Sequence, residues 1–135
     1  MTTLHRSELV SVATEADLPL VRGLVRERAM ELGFGALDLT KIVTAASELG
    51  RNTLIHGGGG TMLVETIADG TRRGLRLTFE DKGPGIADVE QAMKDGFTTN
   101  RGMGLGLGGS KRLVNEFELV SLAGEGTRVT VAKWK

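Results

Sequence analysis

Two polar side chains with complementary chemistry lie four residues apart in the fragment Glu48-Leu-Gly-Arg-Asn52. Four residues make about one helical turn, so a helix presents both side chains on one face. A carboxylate there can accept a proton, and a neighbouring amide oxygen can bind Mg²⁺. The alternatives are a solvated helix glutamate and an amide bonded to the helix backbone. The apolar neighbours favour a polar stripe that faces an internal cleft.

A second fragment, Asp81-Lys-Gly83-Pro-Gly85, places one acidic side chain in a tight turn. The carboxylate of Asp81 can accept a hydrogen bond from an adenine amino group, and Gly83 and Gly85 let the backbone approach a flat ring. The alternative is ordinary turn chemistry, in which an aspartate before glycines bonds to its own backbone.

The third fragment is a glycine-rich run over residues 102–109 that leads into a predicted helix. Successive backbone N–H groups before a helix bind phosphate oxygens. The run is not a Walker A loop, because Gly108-Gly-Ser-Lys111 has the last two residues in reversed order. The G-x-G-x-x-G match at Gly104, Gly106 and Gly109 does not follow a buried strand, which argues against a dinucleotide-binding fold.

The periodicity of apolar residues predicts the elements that must hold these fragments. Helices are predicted over 17–32, 38–56, 88–94 and 105–116, and strands over 8–14, 61–68, 73–80, 119–122 and 128–134. Residues 96–103 carry little periodicity and are predicted to be a mobile segment. This order predicts an α+β sandwich with helices on one face of a mixed, mainly antiparallel sheet.

Composition narrows the class of protein. The chain of 135 residues has no break in composition, so residues 1–135 are predicted to form a single domain. Its 17 basic and 17 acidic residues cancel, which argues against binding of nucleic acid or an anionic membrane. There is no cysteine for a disulfide, and neither a secretory start nor a membrane span is present. A cytoplasmic protein that binds other proteins is expected.

Together the three fragments resemble the N, G1 and G2 boxes of the Bergerat-fold (GHKL) ATPases, which include DNA gyrase and the sensor histidine kinases. The flanking sequence is more similar to one branch, the RsbT-like stressosome switch kinases. The segments that carry this closer resemblance are Glu31-Leu-Gly-Phe-Gly35, Ala46 to Asn52, Glu80 to Ile86, Asp95-Gly-Phe-Thr-Thr99 and Ala123-Gly-Glu-Gly-Thr127. Nearly the whole chain takes part in it.

The resemblance implies ATP as substrate with Mg²⁺, and it assigns roles to individual residues. Glu48 would be the general base and Asn52 the protein ligand to Mg²⁺. Asp81, with Gly83 and Gly85, would hold adenine, and Thr127 would complete that site with the help of water. A lid over the triphosphate would contain the following residues: Gly102, Gly104, Leu105 and Gly106. The helix after the lid would direct its N-terminus at the phosphates.

By the same resemblance the chain would be a serine/threonine protein kinase. Its substrates would be STAS-domain antagonist and scaffold proteins of a stressosome, and on release it would activate a downstream phosphatase or other output. One rival is a non-catalytic ATP-dependent switch that sequesters a partner in the manner of an anti-sigma factor. A further rival is an ATP-hydrolysing fragment of the gyrase kind.

One glycine inside the first fragment and one histidine just after it give further predictions. Gly50 stands where alanine is associated with this box in close relatives, and a glycine inside a helix lowers helix stability while permitting close packing. His56, a lone histidine near the predicted helix end, is interpreted as a cap rather than as a ligand.

Overall fold

A computed structural model describes residues 1–86, residue 93 and residues 107–135 of the chain. The described elements are β1 (Thr2–Val12), α1 (Asp17–Glu31), α2 (Ala36–Ile55), β2 (Gly60–Asp69), β3 (Arg72–Asp81), α3 (Leu107–Arg112), β4 (Glu116–Leu122) and β5 (Gly126–Trp134). The predicted helix over 88–94, the predicted mobile segment over 96–103 and the lid residues 102–106 lie outside the described residues, apart from residue 93.

The strands form one five-stranded sheet in the order β1-β2-β3-β5-β4. Every described pairing is antiparallel, so the parallel component that the prediction allowed is not found among these strands. The helices α1 and α2 pack on each other and against one face of the sheet. The predicted α+β two-layer sandwich is therefore confirmed.

One hydrophobic core fills the space between the helices and the sheet. Alternate residues of the strands point into it, as period-two placement requires. Its fully buried members include Val21, Val25, Ile42, Leu49, Met62, Leu75, Leu77, Phe79 and Val131. The face of the sheet turned away from the helices is mainly polar, with an Arg76–Glu65 ion pair of 2.9 Å across β2 and β3.

The ends of α1 show why this segment is helical. At its start the Asp17 carboxylate accepts the backbone N–H groups of Ala13 at 2.8 Å and Thr14 at 3.0 Å. At its end Gly33 has a positive φ of 82°, and Phe34 N–H donates to the Ala29 carbonyl. This is the Schellman arrangement, with Phe34 buried against the core.

The largest differences from the predicted boundaries are in β1 and where α3 gives way to β4, which begins at Glu116 rather than at residue 119. β1 begins at Thr2 and ends at Val12, whereas 8–14 was predicted. The residues of β1 before the predicted start are exposed on both faces of this edge strand, so they show no alternation of apolar and polar residues. They belong to the strand because they pair with β2. The helix predicted over 105–116 ends at Arg112, because Asn115 N–H donates to the Ala132 carbonyl and the chain then pairs with β5.

Candidate functional site

A cavity opens between the C-terminal half of α2 and one end of the sheet. Its lining residues are Leu49, Asn52, Thr53, His56, Gly57, Phe79, Asp81, Gly85, Ile86, Leu107, Thr127 and Val129. A lining of apolar residues with a few polar side chains suits a flat, mostly apolar ring system with polar edges.

Four residues predicted from the sequence, Asn52, Asp81, Gly85 and Thr127, line this one cavity. They come from α2, β3, the turn after β3, and β5. Glu48 is partly buried one helical turn before Asn52, and it is not among the described residues that line the cavity. The predicted lid residues 102–106 lie outside the part of the chain that the structure describes.

The end of α2 is formed by backbone hydrogen bonds around Asn52. The Asn52 carbonyl accepts the N–H groups of His56 at 3.0 Å and Gly57 at 3.1 Å, which ends the helix at Ile55. His56 is the C-cap residue, as expected, and it also lines the cavity. One turn before His56 in α2, the buried Thr53 hydroxyl donates to the Leu49 carbonyl at 2.9 Å. This residue lines the cavity, but its hydroxyl hydrogen is already used within the helix.

Asp81 makes the turn hydrogen bond that was considered for it, and it also lines the cavity. Its Oδ1 accepts the Gly83 backbone N–H at 2.8 Å, which is the turn chemistry of an aspartate before glycines. The same carboxylate lines the cavity, where it can accept a further hydrogen bond from a ligand.

Close backbone contact surrounds this carboxylate. A methyl group added to Gly57 would overlap the Asp81 carboxylate, and one added to Gly83 would lie 2.7 Å from the Gly57 carbonyl oxygen. A side chain at Gly83 would therefore meet backbone, and one at Gly57 would require the Asp81 side chain to move. Gly85, with φ of 76°, completes the turn in a conformation that favours glycine. Gly57 was not singled out from the sequence, although it directly follows the predicted end of the helix.

Thr127 lies directly opposite Asp81 in the β3–β5 ladder and opposite Ser121 in the β4–β5 ladder. The hydroxyl oxygens of Thr127 and Ser121 are 2.8 Å apart. Ser121 also accepts the Ile86 N–H at 2.8 Å and lies 3.2 Å from the Gly126 carbonyl oxygen. Sequence reasoning missed Ser121. The signal was the hairpin register, which pairs residue 121 with residue 127 across a turn at 123–125.

The fold and this cavity define the class of protein. The family model for the histidine kinase-like ATPase domain matches residues 11–133, so the chain belongs to this family. Two solved structures share the fold. A Mycobacterium tuberculosis protein with RsbU and RsbW domains has a TM-score of 0.67 at 24% identity, over 96% of this chain and 32% of that one. The catalytic domain of histidine kinase ThkA has a TM-score of 0.55 at 18% identity, over 93% and 95% of the two chains.

Sequence relatives narrow the class further. The serine/threonine-protein kinase RsbT of Bacillus subtilis (strain 168) is 48% identical over 131 residues, which cover 97% of this chain and 98% of that protein. The anti-sigma F factor of Thermoanaerobacter sp. (strain X514) is 31% identical over 94% of this chain and 92% of that protein. The predicted resemblance to RsbT-like kinases is confirmed, and so is the prediction of an ATP-dependent protein serine/threonine kinase. The relatives also support partner switching with other proteins as its mode of action.

None of the helices in the described ranges is long and apolar enough to cross a membrane.

Proposed function

We propose that residues 1–135 form a single kinase domain that transfers the γ-phosphate of ATP to a serine or threonine of STAS-domain proteins in a stressosome. In this proposal the kinase is cytoplasmic, and when released from these antagonist and scaffold proteins it activates a downstream phosphatase or other output. The observation that carries the proposal is the convergence of Asn52, Asp81 and Thr127 on one cavity. The 48% identity to RsbT over nearly the whole chain supports the choice of partner class.

The base of ATP is assigned to the end of the cavity where Asp81 and Thr127 face each other. The Asp81 carboxylate is an acceptor only, so it favours the 6-amino group of adenine over the 6-oxygen of guanine. The buried Phe79 and Leu49 provide apolar contact for the ring at the same cavity. Gly85 lines this cavity without a side chain, and Gly83 lies against the Gly57 backbone where a side chain would not fit.

The triphosphate is assigned to the side of the cavity that Asn52 lines. Among the described residues no three His, Cys, Asp or Glu side chains gather into a metal site. Mg²⁺ fits Asn52 nonetheless, because this ion binds through one or two protein oxygens, phosphate oxygens and water. When bound it supplies charge neutralisation at the phosphates. The residues proposed to cover the triphosphate are Gly102, Gly104, Leu105 and Gly106.

Glu48 is proposed as the general base. Its place one turn before Asn52 puts it on the same face of α2 as the proposed ligand to Mg²⁺. The hydroxyl oxygen of the substrate forms a bond to the γ-phosphorus while the bond to the β–γ bridging oxygen breaks, and ADP leaves. Glu48 takes the hydroxyl proton. Positioning and charge neutralisation account for most of the rate of such transfers.

A second candidate function is a non-catalytic switch, in which bound ATP only shapes a surface that sequesters a partner. The 31% identity to an anti-sigma F factor over 94% of the chain favours it. Both functions use the same nucleotide cavity, so nucleotide binding alone does not separate them.

The test is transfer of labelled γ-phosphate to STAS-domain proteins of the same genome, with the acceptor residue located by mass spectrometry. Wild-type protein is expected to label a partner, and Glu48→Gln to abolish labelling while it retains ATP affinity. Glu27→Gln, on the exposed side of α1, is the matched control and is expected to label normally. ATP binding by the wild type without labelling of any STAS protein would favour sequestration.

A further inference from the structure

We infer that a groove between α1 and α2 binds an acidic segment of the protein substrate, with Arg51 holding one of its carboxylates close to Glu48. This inference rests on the proposed function and deepens it. The groove is a separate site from the nucleotide cavity, because the two have no described lining residue in common.

Apolar side chains form most of the groove. α1 contributes Leu18 and Pro19, and α2 contributes Leu54 and Ile55. Each of these side chains keeps part of its surface exposed. The two helices come together at Gly50, where an added methyl group would lie 3.3 Å from Leu18 Cδ2. The two walls of the groove are therefore held by a close contact between the helices.

Two cations border this apolar surface, Arg22 on α1 and Arg51 on α2. In the described ranges neither guanidinium takes part in an ion pair or a side-chain hydrogen bond. Arg28, further along α1, differs because three carboxylates lie between 2.6 and 3.4 Å from its guanidinium. Among the described lining residues only Glu15 is acidic, so the groove carries a net positive charge.

This positive charge is local, since the basic and acidic residues of the whole chain cancel. A nucleic acid or an anionic membrane needs a broader basic surface than two arginines. A protein segment that carries carboxylates around apolar side chains matches both the charge and the apolar walls. A guanidinium also binds a carboxylate through two parallel hydrogen bonds, which fixes the direction of the bound group.

Arg51 connects the groove to the proposed transfer reaction. It lies three residues after Glu48, and Ile55 lies seven residues after Glu48, so α2 presents these three side chains along one face. The next residue after Arg51 is Asn52, which lines the nucleotide cavity. A segment bound in the groove therefore passes beside Glu48. A carboxylate on Arg51 then places a neighbouring serine or threonine hydroxyl next to the proposed base and the γ-phosphate.

The experiment titrates STAS-domain proteins of the same genome into the full chain by calorimetry, with the non-hydrolysable analogue AMP-PNP bound. Arg51→Ala is expected to weaken binding of the partner by about three- to tenfold, and Arg22→Ala with Arg51→Ala by about ten- to one-hundredfold. The affinity for AMP-PNP is expected to stay unchanged in both variants. Arg73→Ala, exposed at the end of β3 far from Asp81, is the matched control.

Two further measurements separate docking from a structural role. Added salt is expected to weaken partner binding by the wild type more than by the double variant, because exposed ion pairs are screened. In the transfer assay Arg51→Glu is expected to raise the KM for the partner more than it lowers kcat. An Asp→Lys or Glu→Lys change beside the labelled residue of the partner is expected to restore that KM.

Wild-type affinity for the partner in a folded double variant would overturn the inference, and so would an equal loss of AMP-PNP affinity. The absence of binding between the wild type and every STAS-domain protein would overturn it as well. Arginine-dependent binding without transfer of label would support the groove as a docking site and reject the proposed kinase activity. Transfer with an unchanged KM in the double variant would reject the docking site and leave the kinase activity supported.

Discussion

Asp81 and Thr127 are cross-strand partners in the antiparallel β3–β5 ladder, and both line the cavity at the end of the sheet. Because the ladder sets their separation, the acceptor and the hydroxyl are held in place by the backbone before any ligand arrives. Preorganised polar groups reduce the entropy lost on binding.

Replacing the Asp81 carboxylate should therefore reduce the affinity for ATP more than it reduces the stability of the fold. In Asp81→Asn the amide can still accept the Gly83 N–H through its oxygen, but it turns an NH₂ group toward the adenine amino group. Loss of a charge-assisted hydrogen bond predicts ATP binding weaker by about ten- to one-hundredfold. Calorimetric titration measures the affinity. Glu80→Gln, next to it on the exposed side of β3, should bind as the wild type does, and equal affinity in both variants would contradict the assignment.

Gly57 gives a second prediction, because a methyl group there would overlap the Asp81 carboxylate. We expect Gly57→Ala to displace Asp81 from the cavity and to reduce ATP affinity about as much as Asp81→Asn does. Gly23→Ala is the matched control, because a methyl group at this position of α1 meets no atom within 4 Å. A Gly57→Ala variant with wild-type affinity would show that Asp81 can move without loss of binding.

Gly50 gives a prediction about stability. A methyl group on Gly50 would lie 3.3 Å from Leu18 Cδ2 and 3.8 Å from both Phe79 and Val21. Leu18 is partly exposed in the first turn of α1, so it can shift by the few tenths of an ångström required. We therefore expect Gly50→Ala to raise the free energy of unfolding by about 0.5 kcal/mol, since helix propensity outweighs the tight contact.

Gly23→Ala, with open space around it, should give the full propensity gain of about 1 kcal/mol. Urea denaturation compares the two variants. A destabilised Gly50→Ala would mean that the contact between α1 and α2 is too rigid to adapt, and that the glycine is needed for packing.

The stability that Asp17 gives to the start of α1 should depend on pH. The backbone N–H groups of Ala13 and Thr14 lower the pKa of the Asp17 carboxyl below its ordinary value. A depressed folded-state pKa means that the stabilisation is complete above the ordinary aspartate value, about 4, and is lost as the pH falls through the lower folded-state value. Asp17→Ala should therefore be less stable than the wild type at pH 7, and the difference should shrink below about pH 4.

Urea denaturation at a series of pH values measures that difference. Glu15→Ala, at an exposed neighbour just before the helix, is the matched control. A constant gap for Asp17→Ala down to the acid limit would argue against the two backbone hydrogen bonds.

The helices and strands that were predicted well from local sequence patterns are those with one buried face. α2 and the β2–β3 hairpin carry apolar residues at the spacing of their own element, and they were predicted within about two residues of the observed ends. The predictions for the first residues of β1 and for the end of α3 were wrong, because pairing with β2 and with β5 decides where these elements begin and end. That information lies elsewhere in the chain.

The residues of the candidate site also divide into those predicted from the sequence and those that were missed. Asn52, Asp81 and Gly85 were singled out by their chemistry and spacing and Thr127 by the family resemblance, and all four line the cavity. Ser121 and Gly57 were missed, since their importance comes from what lies opposite or against them in the folded chain. For Ser121 the sequence offered one signal, the hairpin register that pairs it with Thr127.

The interior position of β5 bears on how the protein is made. This strand lies between β3 and β4, and it supplies Thr127, although it is translated after all the others. A nascent polypeptide still attached to the ribosome thus lacks part of the proposed adenine site until residues 126–134 have emerged and inserted into the sheet. The cavity is therefore completed by a late strand rather than built up in the order of synthesis.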